Sequence, residues 1–160
     1  MAIHRLHFEE FDEIDYELIA IHTSLEDYRL AYFLNQKLPI LLSKNKNEIQ
    51  LNIKEGSAYF SRFCYDNFEK DSAWNLIQNK HEVAMNNNET KQNLFENTMM
   101  NVGAKVFLLP EMKKVDFFLK IENSEIPTDE IIKKINSIKS LSTAYSVETN
   151  QIKSKNNLIF

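Results

Sequence analysis

The sequence predicts an α+β fold. We expect a single domain, residues 1–160, in which two helices pack on a mainly antiparallel sheet, with a strand–helix–strand unit near each end. Three observations support this prediction. Apolar residues recur at helical spacing in two segments, and several shorter segments alternate apolar and polar residues as strands do. The length of 160 residues, with 43% hydrophobic residues, fits one soluble domain with a sizeable core.

The beginning of the chain predicts strands on both sides of one helix. Tyr16–Thr23 contains four consecutive apolar residues, which indicates a strand buried on both faces. Ser24 is expected to cap a helix that runs from Leu25 to about Lys37 and ends before Pro39. Short strands are expected at Ile3–Phe8 and Ile40–Ser43.

The middle of the chain predicts three neighbouring antiparallel strands and then a long loop. Apolar residues alternate over Ile49–Ile53, and the turn at Glu55-Gly56 joins this strand to an aromatic strand at Ala58–Asn67. Trp74–Lys80 is the expected third strand. Residues 85–103 are polar and rich in asparagine, so we expect a long loop that is a variable insertion or a lid over a site.

The last part of the chain predicts a hairpin, a second helix and a final strand. Lys105–Leu109 and Val115–Ile121 are the expected hairpin partners. Thr128 is expected to cap the helix, with Asp129 and Glu130 in its first turn. The buried stripe of this helix is expected to consist of Ile131, Ile132, Ile135, Ile138 and Leu141, and the strand Ser142–Glu148 to follow.

Residues 151–160 are expected to form a C-terminal tail. Its apolar residues, Leu158 to Phe160, either dock on the sheet of the same domain or are captured by a partner. We favour docking on the same domain.

Composition and charge argue against several classes of protein. A net charge of -4 argues against a nucleic-acid binder, and no apolar run approaches the length that crosses a bilayer. One cysteine, Cys64, cannot form a disulfide within the chain, and we expect it to be a half-buried thiol. The N-terminus has no secretory pattern, so we expect a cytoplasmic protein. With only two glycines, the chain has no glycine-rich phosphate loop, and GxSxG and HExxH motifs are also missing.

The most patterned stretch is LLPEMKKVDFFLKI, residues 108–121. Pro110 suits the end of a strand and the start of a corner. Glu111 and Asp116 could share a proton or bind a cation. Alternatively they belong to a structural corner, in which Asp116 accepts backbone N–H groups and the lysines at 113 and 114 neutralise both carboxylates. We favour the structural corner. Val115, Phe117, Leu119 and Ile121 are expected to share one face of the strand that follows.

Part of this stretch, LPEMKKVDF, resembles the signature of the IPExxxVDY family of small bacterial proteins. The matching positions are Leu109, Pro110, Glu111, Val115, Asp116 and Phe117. Leu109 stands for Ile, and Phe117 stands for Tyr, which indicates that the ring matters at this position and the hydroxyl does not. LIAIHTSLEDYRLAYFLNQKL, AYSVE and KSKNNLIF extend the resemblance over most of the chain. The family is associated with the Bacteroidetes lineage, so the resemblance implies a bacterial origin and a shared fold, and it supplies no catalytic residues.

Other candidate residues are scattered through the chain. His4 and His7 have the spacing of a metal pair on a helix, but in the expected strand they point to opposite faces, so we predict no metal site. His22 is either a hydrogen-bonded core histidine or a member of a site. A pocket between the first helix and the aromatic strand would be lined by Tyr28, Arg29, Arg62, Asp66 and His22.

The sequence therefore favours a cytoplasmic binding or interaction module without catalysis. We expect a protein partner or a homodimer, and no cofactor, nucleic acid or membrane. The alternative is a small enzyme or a small-ligand-binding domain that uses the pocket described above.

Overall fold

The computed structural model describes residues 15–54, 56–83 and 103–160. The predicted strand at Ile3–Phe8, the His4 and His7 pair and nearly all of the predicted loop at 85–103 lie outside these ranges. The described residues form one domain with two α-helices and ten strands, mainly in an antiparallel sheet. The predicted α+β class is confirmed.

The elements are numbered here in chain order. The strands are β1 (Glu17–Thr23), β2 (Ser43–Lys44), β3 (Ile49–Ile53), β4 (Gly56–Phe60), β5 (Arg62–Asn67), β6 (Ser72–Gln78), β7 (Lys80–Val83), β8 (Ala104–Phe107), β9 (Phe117–Glu122) and β10 (Leu141–Val147). The helices are α1 (Asp27–Lys37) and α2 (Thr128–Asn136), with short 3-10 turns at Pro110–Met112, Thr149–Gln151 and Lys155–Leu158.

Six strands form the main sheet in the order β10-β1-β9-β6-β5-β2, and all neighbours are antiparallel. Two small sheets, β3 with β4 and β7 with β8, complete the strands of the described residues. β9 and β10 both pair with β1, so β1 lies between the last two strands of the chain. The helix α2 carries the chain from β9 to β10. The centre of the sheet therefore joins distant parts of the chain.

The main sheet is covered on both faces. Face A, the side of Ile19 and Ile21 on β1, packs against α1 and α2. Face B, the side of Leu18 and Ala20, packs against the small sheets and against residues near the end of the chain, including Leu158. The four residues Leu18–Ile21 are fully buried, as their unbroken apolar run predicted.

Two long segments bend out of the main sheet side by side. The predicted strand Ala58–Asn67 divides at Ser61 into β4, which pairs with β3, and β5, which pairs with β6. The predicted strand Trp74–Lys80 divides at Asn79 into β6 and β7. The N–H of Gln78 donates to the Ser61 carbonyl at 3.0 Å, so the two bends are directly linked. The predicted three-stranded meander is therefore shared between two sheets.

The predicted hairpin of Lys105–Leu109 with Val115–Ile121 is wrong. β8 pairs with β7, and β9 pairs with β1 and β6. The 3-10 turn at Pro110–Met112 carries the chain across from one sheet to the other. Val115 precedes β9 and packs in the face B cluster, whereas Phe117 packs on face A, so these two residues do not share a face as predicted.

Neither helix begins with the predicted side-chain cap. α1 begins at Asp27 with Glu26 at the cap position, and Ser24 lies outside it. α2 begins with Thr128 as its first residue, and Pro127 holds the cap position. Acidic residues do lie in the first turn of both helices, where their negative charge is attracted to the positive end of the helix dipole. Ile138 and Leu141 of the predicted stripe are buried but follow the end of α2.

An asparagine near the end of each helix clamps the chain that follows. Asn35 on α1 accepts the N–H of Leu42 at 2.7 Å and donates to its carbonyl at 3.0 Å. Asn136 on α2 binds both backbone groups of Ala144 on β10 in the same way, at 2.8 and 3.0 Å. The first clamp explains why the predicted strand Ile40–Ser43 begins only at Ser43: the Leu42 backbone is bonded to a helix side chain.

We expect Asn35→Ala and Asn136→Ala each to lower the free energy of unfolding by about 1–3 kcal/mol, because each leaves two backbone groups without their hydrogen bonds. Urea denaturation measures this change. Asn150→Ala, at an exposed position outside both clamps, is the matched control and should leave the free energy of unfolding unchanged. If the clamp variants are as stable as this control, the clamps contribute nothing.

Candidate binding surfaces

Asn79 organises the patterned stretch. Asn79 is fully buried and makes five hydrogen bonds, through its side chain and its backbone, to the corner formed by residues 108–116. The side-chain amide accepts the N–H of Leu109 at 3.0 Å and donates to the carbonyls of Met112 and Val115 at 2.9 and 2.8 Å. Its backbone binds Asp116 and Leu108. The corner is therefore fastened at the point where β6 passes into β7.

Asp116 joins three segments of the chain. Its carboxylate accepts the Thr23 N–H at 2.9 Å and the Lys80 ammonium at 2.9 Å. Its own N–H donates to the Ile21 carbonyl at 3.1 Å. The predicted neutralisation by the lysines at 113 and 114 is wrong for this carboxylate, because Lys80 forms the ion pair. Its predicted role as an acceptor of a backbone N–H agrees with the structure.

Glu111 faces a different segment. Its two carboxylate oxygens accept the N–H and the hydroxyl of Ser154, both at 2.9 Å. Partial burial opposes ionisation, but the hydrogen bonds that the carboxylate accepts, first from Ser154 and also from the Glu111 and Lys153 backbone, outweigh it, so the pKa of Glu111 lies below its ordinary value. Because Glu111 and Asp116 bind separate partners, the geometry is that of a structural corner.

His22 is tied to the neighbouring strand. Its Nε2 atom lies 2.9 Å from the Tyr145 hydroxyl on β10, and the two rings stack with 5.5 Å between their centroids. Both groups lie near solvent at the edge of the sheet. In this structure His22 is therefore a hydrogen-bonded residue near the surface.

Asp27, Lys44 and Ser61 form a cluster that the sequence analysis missed. The Ser61 hydroxyl donates to Asp27 and receives a hydrogen bond from the Lys44 ammonium at 2.7 Å. Burial opposes ionisation of Asp27, but hydrogen bonds from Ser61 and the Tyr28 N–H, with the charge of Lys44, lower its pKa. Ser61 is only 8% exposed, and its hydroxyl is engaged on both sides. The cluster fastens the start of α1 to the bend at Ser61.

The outer side of α1 carries exposed aromatic and basic residues, Tyr28, Arg29 and Tyr32, which we call the α1 surface. Tyr28 and Tyr32 are each 59% exposed and lie one turn apart. Gln36 donates to the Tyr32 hydroxyl at 2.9 Å. The opposite side of the helix is buried through Leu30 and its neighbours.

A second surface lies on face B. Arg62 on β5, Asn75 on β6 and Lys120 on β9 form what we call the face B strip. The Arg62 guanidinium carbon and the Lys120 ammonium lie 4.8 and 4.7 Å from the centroid of the Phe160 ring. Lys120 also donates to the Leu158 carbonyl at 2.9 Å. The expected docking of the C-terminal tail on its own domain therefore agrees with the structure.

The residues predicted to line one pocket are not brought together. Tyr28 and Arg29 are exposed on α1, which covers face A. Arg62 and Asp66 belong to face B, because β5 turns Phe63 and Tyr65 toward the helices. His22 binds Tyr145. The expected pocket between the first helix and the aromatic strand is therefore not formed from these residues.

Depressions occur instead at the end of the sheet where β6 begins and β9 ends. Their volumes are about 420, 240 and 100 Å³, and Asn123 lines all of them. The largest is lined by carboxylates of Asp15, Glu17 and Glu125 and by apolar side chains such as Ile131. Asp66 lines the second.

No group of three or more histidine, cysteine, aspartate or glutamate side chains in the described ranges is arranged to hold a metal ion. Of the helices in the part of the chain that the structure describes, none is long and apolar enough to cross a membrane. Searches against protein-family models, curated proteins and solved structures found no match to the chain. The resemblance to the IPExxxVDY family stays a prediction.

We expect Asn79→Ala to lower the free energy of unfolding by about 3 kcal/mol or more, because it leaves buried N–H and C=O groups of the corner unpaired. Asn79→Asp keeps an acceptor for the Leu109 N–H but loses both donors, so it should also destabilise the protein. Chemical denaturation measures both changes. Asn156→Ala, at an exposed position, is the control, and equal stability of all three variants would contradict this role of Asn79.

A second prediction concerns pH. Because the pKa of Glu111 is lowered in the folded state, its ionised form stabilises the fold above its ordinary pKa of 4.5, and this stabilisation is lost as the pH falls through the lowered value. Glu111→Gln cannot titrate there. Between about pH 6 and about pH 3, the wild-type protein should lose more free energy of unfolding than this variant. Glu48→Gln, at an exposed position, should follow the wild-type profile.

Proposed function

We propose that the protein is a cytoplasmic protein-interaction module without catalysis, and that a protein partner binds the α1 surface. The observation that carries this proposal is the pair of tyrosines, Tyr28 and Tyr32, each 59% exposed on successive turns of one helix. Tyrosine and arginine are enriched among the residues that supply most of the binding free energy at protein interfaces. The α1 surface contains three such residues on one side of a helix.

The way α1 is held supports the same proposal. At its start, Asp27 is fixed by Ser61 and Lys44, and near its end Asn35 clamps the Leu42 backbone. A helix fastened at both ends holds the backbone of its outer residues in place. Binding to such a surface costs less conformational entropy than binding to a loose segment.

We also propose that the chain is a bacterial member of the IPExxxVDY family. What supports this is the role of the matching positions: Pro110 begins the turn of the corner, Glu111 holds Ser154, and Asp116 holds Thr23 and Lys80. These positions serve the fold, so family members with this corner would share the architecture and differ in their surfaces.

We expect a photo-crosslinking amino acid placed at position 28 or 32 to form the same defined adduct with one partner protein in the cells that make the chain. The same amino acid at Tyr59, an exposed tyrosine on β4, is the control and should give no such adduct. With the purified partner, Tyr28→Ala and Tyr32→Ala should each weaken binding about tenfold or more, the effect of removing a side chain at an interface hot spot.

Two outcomes decide against this partner. An adduct of the chain with a second copy of itself, with a dimer mass in light scattering that the alanine variants abolish, would assign the α1 surface to a homodimer. Equal adducts from position 59 and from positions 28 and 32 would remove the special role of the α1 surface.

A small-ligand-binding domain is the second candidate, because of the depression of about 420 Å³ at the end of the sheet. A ligand bound there should raise the melting temperature. Thr128→Trp, which fills the depression, should abolish that increase, whereas Tyr28→Ala should preserve it. This pair of variants separates the two candidate functions.

A further inference from the structure

The face B strip contains one buried hydrogen-bond donor that is unused. In the part of the chain that the structure describes, the buried Nε of Arg62 has no hydrogen-bond partner. Asn75 is 8% exposed and lies beside Arg62 on the same face of the sheet. Buried polar groups are normally paired, so this unpaired donor indicates a missing partner.

These groups lie on neighbouring strands and face the same way. Asn75 is the cross-strand neighbour of Lys120 on β9 and of Cys64 on β5, and Arg62 lies two residues from Cys64 on the same face. The side chains of Arg62 and Lys120 both contact the Phe160 ring, so the ring joins the two cations across the strand that carries Asn75. Together they form one site with two positive charges.

The residue that covers this site is partly exposed and follows an anchored residue. Leu158 is fully buried, and the carbonyl of this residue accepts a hydrogen bond from Lys120, so the tail is anchored there. Beyond this anchor, Ile159 is 76% exposed and Phe160 is 46% exposed. The ring of Phe160 makes cation–π contacts with Arg62 and Lys120, and it lies two residues beyond the Leu158 anchor.

We propose that the face B strip binds a small aromatic carboxylate, and that the Phe160 ring is a displaceable cover that occupies the position of the ligand ring. The aromatic part of such a ligand would regain the cation–π contacts that Phe160 gives up. Its carboxylate would accept hydrogen bonds from Asn75 and from Arg62, whose buried Nε lacks a partner in the described residues. Arginine suits this role because its guanidinium binds a carboxylate through two hydrogen bonds.

The surroundings favour a ring with an acid over a bare anion. Glu122 lies 3.4 Å from the Lys120 ammonium and partly neutralises it, which reduces the attraction for an anion alone. The ammonium also lies 4.9 Å from the centroid of the Tyr16 ring, so aromatic groups already surround it. A ligand that combines a ring with a carboxylate uses both properties of the site.

The probe is 3-phenylpropionate, and its dissociation constant is measured by calorimetry with the full chain. We expect Phe160→Ala to bind the probe about tenfold more tightly than the wild-type protein, because the cover no longer competes. Phe160→Leu, which keeps an apolar side chain but loses the π face, should also bind more tightly. The double variant Arg62→Leu/Phe160→Ala should bind the probe about tenfold or more weakly than Phe160→Ala. Its melting temperature must match that of Phe160→Ala, so that the loss of affinity is not caused by unfolding.

The controls test each part of the ligand. The matching amide, 3-phenylpropanamide, should bind at least tenfold more weakly than the acid, and so should inorganic phosphate, which has no ring. Equal affinity of wild type, Phe160→Ala and Phe160→Leu for the acid would overturn the role of the cover. Equal affinity for the acid and the amide would overturn the site itself. Tyr28→Ala should bind the probe like the wild-type protein, so this proposal and the proposed function stand or fall separately.

Discussion

The arrangement of the two sheets depends on the hydrogen bonds of the Asn79 carboxamide. At this residue the chain leaves the main sheet and enters the small sheet of β7 and β8. A break of this kind exposes backbone groups in the core, where an unpaired N–H or C=O costs about 1–3 kcal/mol. Asn79 supplies an acceptor and two donors to the corner at 108–116, so the break and the corner satisfy each other. Neither could be buried without the other.

The same chemistry recurs at both helices. An asparagine side chain carries a donor and an acceptor in the arrangement of a peptide group, so it can replace one residue of a neighbouring strand. Asn35 does this for Leu42. Asn136 does it for Ala144 on β10, the edge strand of the main sheet, which has no charged residue along its seven positions. Covering the middle of an uncharged edge protects it from pairing with another chain. Both clamps therefore position the helices, and the Asn136 clamp also shields the edge of the main sheet.

Features of this fold that depend on neighbouring residues in the chain could be predicted from the sequence. Features that depend on pairing between distant segments could not. The unbroken apolar run of β1 predicted burial on both faces, and the helical spacing of apolar residues located both helices, because each pattern lies within one element. The pairing of β9 with β1 and β6 depends on residues about 40 to 100 positions away, so the local pattern wrongly favoured a hairpin. The face B strip was missed for a similar reason: of its three residues, only Arg62 stood out in the sequence, together with Phe160, which covers the strip. Asn75 and Asn79 did carry a signal, since asparagine is depleted in strands.

The burial of Lys120 is poorly explained by the stability of the fold. It lies in the middle of β9 between Leu119 and Ile121, and only 7% of it is exposed. Burial of an ammonium group costs free energy that an apolar side chain at the same position would not cost. The structure partly compensates this cost with the Leu158 carbonyl, the Glu122 carboxylate and two aromatic rings. Both the Leu158 carbonyl and the Phe160 ring belong to the tail, so the compensation depends on a segment in which Ile159 is 76% exposed and Phe160 is 46% exposed. A cation buried at this cost, beside an arginine with an unpaired donor in the described residues, is better explained by a ligand than by stability.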